Sequence, residues 1–137
     1  MKIVNLTFGF QQILEVQNIP NEVQILMDLV GLIDQHYHKQ RSPAYYAFSL
    51  SIKASTLNIL SKTVLRKTVY ELIQEKLHHE AVFLLLTTDW AVKRIAYEIG
   101  STDPCYFNRW FKKKTGFSPK RFRRAGFKLN YLDDLTN

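Results

Sequence analysis

The stretch DPCYFNRWFKKKTGFSPKRFRR, residues 103–124, decides the fold of this chain. Asp103 before Pro104, and Ser118 before Pro119, each place a capping side chain ahead of a proline, which is how many helices begin. Gly116 lies between the two signals, and glycine readily adopts the left-handed conformation that ends a helix. The stretch therefore predicts a helix, a tight turn and a second, shorter helix.

The first of these helices has two chemically different faces. At about 100° per residue, Phe107, Trp110 and Phe111 form an apolar stripe that we expect to pack on a preceding helix through residues 95, 96 and 99. The opposite face carries hydrogen-bond donors and cations, namely Cys105, Asn108, Arg109 and Lys112, flanked by Tyr106 and Lys113. Arginine can bind guanine through a pair of hydrogen bonds, and asparagine can bind adenine in the same way, while lysines neutralise phosphates. This pattern favours a helix that reads the major groove of DNA.

Positive charge is concentrated in the same part of the chain. The protein has 137 residues, 46% of them hydrophobic, and a formal net charge of +7. Residues 89–128 hold 11 Lys or Arg and three acids, a net charge of +8, so the rest of the chain carries −1. Acids four residues away do not balance this excess, as they usually do on a merely solvated helix face. The basic segment indicates an acidic partner such as double-stranded DNA.

The rest of the chain is predicted to be helical apart from its two ends. Residues 1–20 alternate apolar and polar side chains in part, which suits a remnant of an upstream domain or a linker. Asn21 is a predicted N-cap, Ser42 before Pro43 is a second helix start, and the apolar periodicity from Tyr70 to Thr87 predicts a long helix that could act as a spacer. Residues 129–137 form an acidic tail. The prediction is an all-α fold of about seven helices.

One set of residues at fixed spacing resembles the signature of the AraC/XylS family of bacterial transcription regulators. It reads I-A-x-x-x-G from Ile95 to Gly100, Y-F-x-R-x-F-K from Tyr106 to Lys112, and G-x-S-P-x-x-F-R from Gly116 to Arg123. The resemblance extends over roughly residues 23–124 and implies two homeodomain-like helix-turn-helix subdomains, 21–87 and 88–128, joined by the long helix. Two such subdomains would address adjacent major-groove segments of a promoter, about one helical turn apart.

The resemblance and the helix faces together assign DNA contacts. The expected base-reading residues are Cys105, Tyr106, Asn108 and Arg109 in the second subdomain, and Ser55 and Asn58 in the first. The expected phosphate contacts are Lys62, Lys93, Lys112, Lys113, Lys120, Arg121 and Arg123. The chain departs from the family pattern at Ile59, Ser61, Arg66 and Ser101, where a basic residue, an apolar residue, a glycine and an aromatic residue are usual. We therefore expect less specificity from the first subdomain than from the second.

Two other functions are compatible with the sequence. The chain could be a protein-interaction module that binds RNA polymerase or a partner regulator and has only electrostatic affinity for DNA. It could also accept an alkyl group from DNA through Cys105, because Pro104 and Cys105 resemble the Pro-Cys motif of alkylguanine-DNA methyltransferases, although no base for such a reaction is evident. The sequence contains no phosphate loop or catalytic triad, so we expect neither an enzyme nor a cofactor.

Histidines and the single cysteine complete the sequence-based predictions. His36, His38, His78 and His79 are expected to be solvated surface residues, because no cysteine or carboxylate cluster completes a metal site around them. Cys105 is the only cysteine, which excludes an internal disulfide and fits a reducing compartment. No segment approaches the roughly 20 apolar residues of a membrane span. We expect a soluble cytoplasmic protein.

Overall fold

The computed structural model describes residues 20–125, and within them it contains seven α-helices and no strand. The helices are α1 (Asn21–His36), α2 (Pro43–Ser49), α3 (Ala54–Leu65), α4 (Val69–Thr87), α5 (Val92–Glu98), α6 (Pro104–Thr115) and α7 (Pro119–Arg124). The predicted all-α class and number of helices are confirmed. The strand-like segment before Pro20 and the acidic tail at 129–137 lie outside the described residues.

Two parts of the chain have the same local arrangement. Helices α2 and α5 have seven residues each, and each is followed across a turn by a helix of twelve residues, α3 or α6. The turns contain Ser51 with φ 55° and Gly100 with φ 87°. The longer helices end at left-handed residues, Arg66 and Gly116. Since α3 and α6 begin at residues 54 and 104, each residue of α3 corresponds to the residue 50 positions later (104 − 54).

The helix predicted to be a spacer is the central core helix of the molecule. Helix α4 begins with a capping box, in which the Thr68 hydroxyl accepts from the Glu71 N–H and the Glu71 carboxylate accepts from the Thr68 N–H. It packs against α1 and α3 of the first unit and against α5 and α7 of the second. Its buried residues are Val69, Ile73, Leu77, Ala81, Val82, Leu85 and Leu86. The two helix-turn-helix units therefore share a single hydrophobic core, and α4 is part of that core and not a solvent-exposed linker helix.

Two of the four predicted capping side chains form capping hydrogen bonds. The Asp103 carboxylate accepts from the Cys105 N–H at 2.9 Å, and the Ser118 hydroxyl accepts from the Arg121 N–H at 3.2 Å. Asn21 is instead the first residue of α1 and follows Pro20, and Ser42 precedes α2 without a side-chain capping bond. The helix starts were predicted to within a residue or two, but α1 and α2 lack the predicted side-chain capping hydrogen bonds.

The two helix-turn-helix units also contact each other directly. The Arg41 guanidinium, in the loop between α1 and α2, donates to the Ile99 carbonyl at 2.9 Å across 58 positions of sequence. Gly100 approaches the same loop so closely that a Cβ at this position would lie 1.8 Å from the His38 carbonyl oxygen. These contacts hold the turn between α5 and α6 against the first unit. The relative orientation of α3 and α6 is thus fixed by more than their shared attachment to α4.

Replacing Arg66 with glycine is expected to raise the free energy of unfolding by about 0.5–1 kcal/mol. Arg66 ends α3 with φ 61°, a left-handed conformation that costs a residue with a Cβ about 1–2 kcal/mol, partly offset by the greater chain entropy of glycine. Urea denaturation of Arg66→Gly and Arg66→Ala separates the causes, since alanine keeps the strain and removes only the side chain. Equal stabilisation by both substitutions would contradict a backbone origin.

Candidate nucleic-acid interface

Helix α6 is anchored by aromatic side chains on one face. Phe107 and Phe111 are buried, as the sequence predicts, together with Ile95, Ala96 and Ile99 of the preceding segment. Trp110 lies further round the helix, where its indole N–H donates to the Gln74 Oε1 at 2.9 Å. Trp110, predicted to pack on the preceding helix, is partly buried against the core, and its polar edge is in addition bound by α4. The indole nitrogen is partly buried and needs an acceptor, and Gln74 supplies it.

The opposite face of α6 is open to solvent and carries the predicted base-reading set. Its exposed residues are Cys105, Tyr106, Asn108, Arg109, Lys112 and Lys113. The apolar stripe fixes how the helix is rotated, because burying Phe107 and Phe111 turns Asn108 and Arg109 outward. This face combines planar hydrogen-bonding groups with cations on a regular helix, a geometry that fits the width of a major groove.

The cations around α6 have no carboxylate partners among the described residues. The three ion pairs within residues 20–125 join Lys67 to Glu75 and Lys76 to both Asp34 and Glu80, and all of them lie before α5. We call the exposed cations Arg109, Lys112, Lys113, Lys120 and Arg121 the basic surface. Lys93 and Arg124 are also exposed. Uncompensated cations beside a donor-rich helix attract phosphates, and they release counterions when they bind DNA.

Arg123 has a structural role that the sequence did not predict. Its guanidinium donates to the Leu85 carbonyl at 3.0 Å and to the Thr88 carbonyl at 3.3 Å. Carbonyls at the end of a helix lack partners within that helix and attract cations, and Leu85 and Thr88 lie at the end of α4. The side chain predicted to bind phosphate thus joins α7 to the end of α4.

Asn58, a predicted base reader, is also held within the fold. Its Oδ1 accepts from the Val69 N–H at 3.1 Å, at the start of α4. The corresponding pair in the second unit is Asn108 and Pro119, and proline has no N–H to donate. Asn108 is accordingly exposed, whereas Asn58 is half-buried. Two asparagines at equivalent positions thus have different surroundings. The other predicted DNA contacts on α3, Ser55 and Lys62, are both exposed.

Ile59, on the outer face of α3, was identified from the sequence only as a departure from the basic residue usual in the family, and no DNA contact was assigned to it. It corresponds in position to Arg109 (109 − 50) and is 66% exposed. A search for hydrogen-bonding and cationic residues passes over an isoleucine. The match between the two helix-turn-helix units is the signal that could have pointed to a contact at this position.

The departures at Ser61 and Ser101 are accommodated by hydrogen bonds. Both side chains are buried, the Ser61 hydroxyl donates to the Lys67 carbonyl at 2.6 Å, and the Ser101 hydroxyl donates to the Asp103 carbonyl at 3.1 Å. Each hydroxyl binds the backbone of the turn that it adjoins. The loss of an apolar group expected at these positions is therefore partly compensated.

His78 is not the solvated surface residue that the sequence predicts. Its ring centroid lies 6.2 Å from that of Trp110 and 5.9 Å from that of Phe111, in the contact between α4 and α6. Burial, with smaller effects of His79 and Lys114, lowers the pKa of His78 to about 4. The histidine is neutral at physiological pH and forms part of the packing beneath the DNA-facing helix.

We expect stability to fall as the pH decreases from about 6.5 to about 4. In this range the unfolded chain protonates His78 and the folded chain does not, so protonation favours unfolding, and below about 4 no further loss arises from this group. Allowing for partial exposure, the difference is about 1–2 kcal/mol. Urea midpoints of the wild type and His78→Gln at neutral pH and near pH 4 test this, because subtraction removes the carboxylate titrations. Parallel profiles would contradict the prediction.

The sequence also suggested a reactive cysteine at Cys105 and considered histidine metal sites and a membrane span. Cys105 is exposed, and residues 20–125 contain no group of histidine, cysteine or acidic side chains arranged to hold a metal ion. In the same part of the chain, no helix has the length and apolar composition needed to cross a membrane.

Comparison with known proteins identifies related sequences and folds. The helix-turn-helix domain family matches residues 46–125. The chain is 33% identical, over 101 residues, to an uncharacterised helix-turn-helix-type transcriptional regulator in the cgkA 5′ region of Pseudoalteromonas carrageenovora, covering 74% of this chain and 60% of that protein. It is 42% identical over 57 residues to AdaA of Bacillus subtilis, a bifunctional transcriptional activator and DNA repair enzyme, covering 42% of this chain and 27% of AdaA. It thus spans less than two thirds of either relative.

Among solved structures, the C-terminal domain of AraT, a response regulator from Geobacillus stearothermophilus, has a similar fold. The TM-score is 0.70 at 26% sequence identity, and the match covers 74% of this chain and 84% of that domain.

Proposed function

Because the chain belongs to the AraC/XylS family of helix-turn-helix transcription regulators, we propose that it binds a specific promoter element by inserting α3 and α6 into adjacent major grooves. The matched family is one of helix-turn-helix transcription regulators, in agreement with the sequence-based expectation that the chain is not an enzyme, and AdaA, which is also a DNA repair enzyme, is matched over only 27% of its length. The observation that carries the proposal is the exposed face of α6, where donors and unpaired cations stand opposite a buried aromatic anchor.

Specificity in the second unit comes mainly from two side chains on α6. Arg109 is exposed and can donate two hydrogen bonds to guanine, and exposed Asn108 can pair with adenine. Cys105 and Tyr106 lie on the same open side near the start of the helix and contact neighbouring base edges or the sugar–phosphate backbone.

Affinity comes largely from the basic surface. Lys112, Lys113, Lys120 and Arg121 contact phosphates on either side of the groove, and Lys93 and Lys62 extend these contacts to α5 and α3. Arg123 stabilises the site indirectly, because its hydrogen bonds to the end of α4 hold α7 and its neighbouring cations in place. Phosphate contacts set the register on DNA without carrying sequence information.

The spacing between the two half-sites is expected to be constant. The hydrogen bond from Arg41 to Ile99 and the close approach of Gly100 to His38 support a fixed orientation of α3 relative to α6. Because α3 and α6 are held in a fixed orientation, binding should tolerate poorly the insertion of a base pair between the half-sites. One inserted base pair rotates one half-site about the DNA axis relative to the other.

The experiment that tests the proposal is selection of binding sites from random duplex DNA, performed with the full chain at low and moderate salt. We expect an enriched motif that spans two adjacent major grooves, with a preference over random DNA of at least ~10³ at moderate salt. Insertion of one base pair between the halves should abolish most of that preference. If no motif is enriched and binding simply disappears with salt, the proposal fails, and an interaction module that binds RNA polymerase or a partner regulator becomes the better hypothesis.

A further inference from the structure

The outer face of α3 has an apolar residue at its centre. The residues exposed along this face are Ser55, Thr56, Ile59, Lys62 and Thr63, and Ile59 lies between the others in helical projection. Its exposed fraction of 66% compares with complete burial of Leu57, two positions earlier. Isoleucine does not anchor α3 to the core, so its side chain is available to whatever approaches this face.

Ile59 occupies the position in the first unit that Arg109 occupies in the second. The two helices have the same length and similar turns, and the buried residues Leu57 and Phe107 correspond at the same offset of 50 (107 − 57). A helix anchored at equivalent positions presents the following residues in equivalent directions. The structural relation therefore places Ile59 where the second unit places its principal base-reading arginine.

Isoleucine can recognise only one feature of the major groove. It has no donor or acceptor, so its contact with a base edge must be apolar, and the 5-methyl group of thymine is the apolar group that the major groove displays. Asn58, the neighbouring hydrogen-bonding candidate, is already bound to the Val69 N–H. At position 59 the outer face of α3 can therefore make an apolar contact, but it cannot read guanine or adenine through hydrogen bonds.

We propose that Ile59 is a specificity-determining residue that contacts a thymine 5-methyl group in the half-site bound by the first unit. The inference rests on the proposed function, since it requires α3 to enter a major groove. The DNA element is then chemically asymmetric, with one half chosen through hydrogen bonds from Arg109 to guanine and the other through an apolar contact with thymine. The departure of residue 59 from the basic residue usual in the family thus becomes a change of preferred base.

The test replaces thymine with deoxyuridine, which pairs identically but lacks the 5-methyl group. The selected duplex is used with the full chain, and the half whose preference changes in Arg109→Ala is assigned to α6. Deoxyuridine at a preferred thymine of the other half should weaken wild-type binding about fourfold, the effect of removing one buried methyl-sized group. Ile59→Ala should bind both duplexes equally, whereas Ile59→Val should retain most of the difference.

Two controls make the result specific to Ile59. Val64→Ala removes a half-exposed apolar side chain from a different side of α3 and should keep the fourfold effect. Deoxyuridine in the half bound by α6 should affect wild type and Ile59→Ala equally. Ile59 is exposed, so its substitution should leave the thermal unfolding midpoint nearly unchanged.

The outcomes separate this inference from the proposed function. A motif over two grooves whose first half is insensitive to deoxyuridine overturns the role of Ile59 and leaves the function intact. Equal sensitivity of the wild type and Ile59→Ala also overturns it, because the methyl group is then read by another residue. Failure to enrich any motif, or enrichment of a motif confined to the α6 groove, removes the premise and the inference with it.

Discussion

Gly100→Ala is expected to lower the free energy of unfolding by about 3 kcal/mol, the largest effect on stability that we predict for a single methyl group. The backbone at Gly100 has φ 87°, and the new Cβ would lie 1.8 Å from the His38 carbonyl oxygen and 2.8 Å from its carbon. The obstacle is backbone, so no side-chain rotation relieves it. Either the turn between α5 and α6 or the loop that follows α1 must move, and the Arg41–Ile99 hydrogen bond lies in the same contact.

The other described glycines provide matched controls for this prediction. Gly116 has a similar φ of 83° but an open surrounding, so Gly116→Ala should cost only about 1 kcal/mol of backbone strain. Gly31 lies within α1 with no atom near its notional Cβ, and Gly31→Ala should raise stability by up to about 1 kcal/mol. Urea denaturation measures all three. Similar losses for Gly100→Ala and Gly116→Ala would show that the contact between the units contributes nothing.

Arg109→Ala should produce the largest change in DNA recognition. The side chain is exposed at the middle of the α6 face, and loss of a bidentate contact with guanine costs about 1–3 kcal/mol, or about fivefold to more than a hundredfold in affinity for the selected site. Affinity for random DNA should decrease much less, since that binding depends on total charge. In repeated selections the mutant should lose preference at one guanine position and keep it elsewhere.

Lys112→Ala is the matched control for Arg109→Ala. Lys112 is exposed on the same face and carries the same charge, but as a phosphate contact it should weaken binding to all sequences alike and reduce the salt dependence by about one charge. Titrations of both variants with selected and random duplexes at several salt concentrations distinguish the two roles. If Arg109→Ala behaves as Lys112→Ala does, the arginine binds the DNA backbone and another residue reads the base.

Local sequence signals predicted the elements of the fold well. Asp103 with Pro104 and Ser118 with Pro119 identified the starts of α6 and α7, because a capping side chain and a proline act on backbone groups only a few residues away. The apolar spacing of Phe107 and Phe111 gave the rotation of α6, and hence its open face. Signals of this kind depend on near neighbours, so they can be read without knowing the tertiary structure.

The same signals do not reveal the partner of a polar group when that partner is distant in sequence. Helical periodicity shows which side of a helix is apolar, but it does not show which atom will lie opposite a given polar side chain. Asn58 accepts a hydrogen bond from the Val69 N–H, 11 positions away. Arg123 donates to carbonyls 35 and 38 positions away. Burial of His78 against α6 lowers its pKa and keeps it neutral. All three residues were predicted to be accessible.

The sequence by itself determined the seven helices, the family, the concentration of charge in the second unit and the outward face of α6. Only the tertiary structure shows which members of the predicted contact set are hydrogen-bonded within the chain, and that α4 is a shared core. It also decided that Arg41 and Gly100 hold the two units together, and that Ile59 stands where Arg109 stands. The physical reason is that helix formation and rotation depend on neighbours within a few residues, whereas the availability of a side chain depends on how remote segments meet.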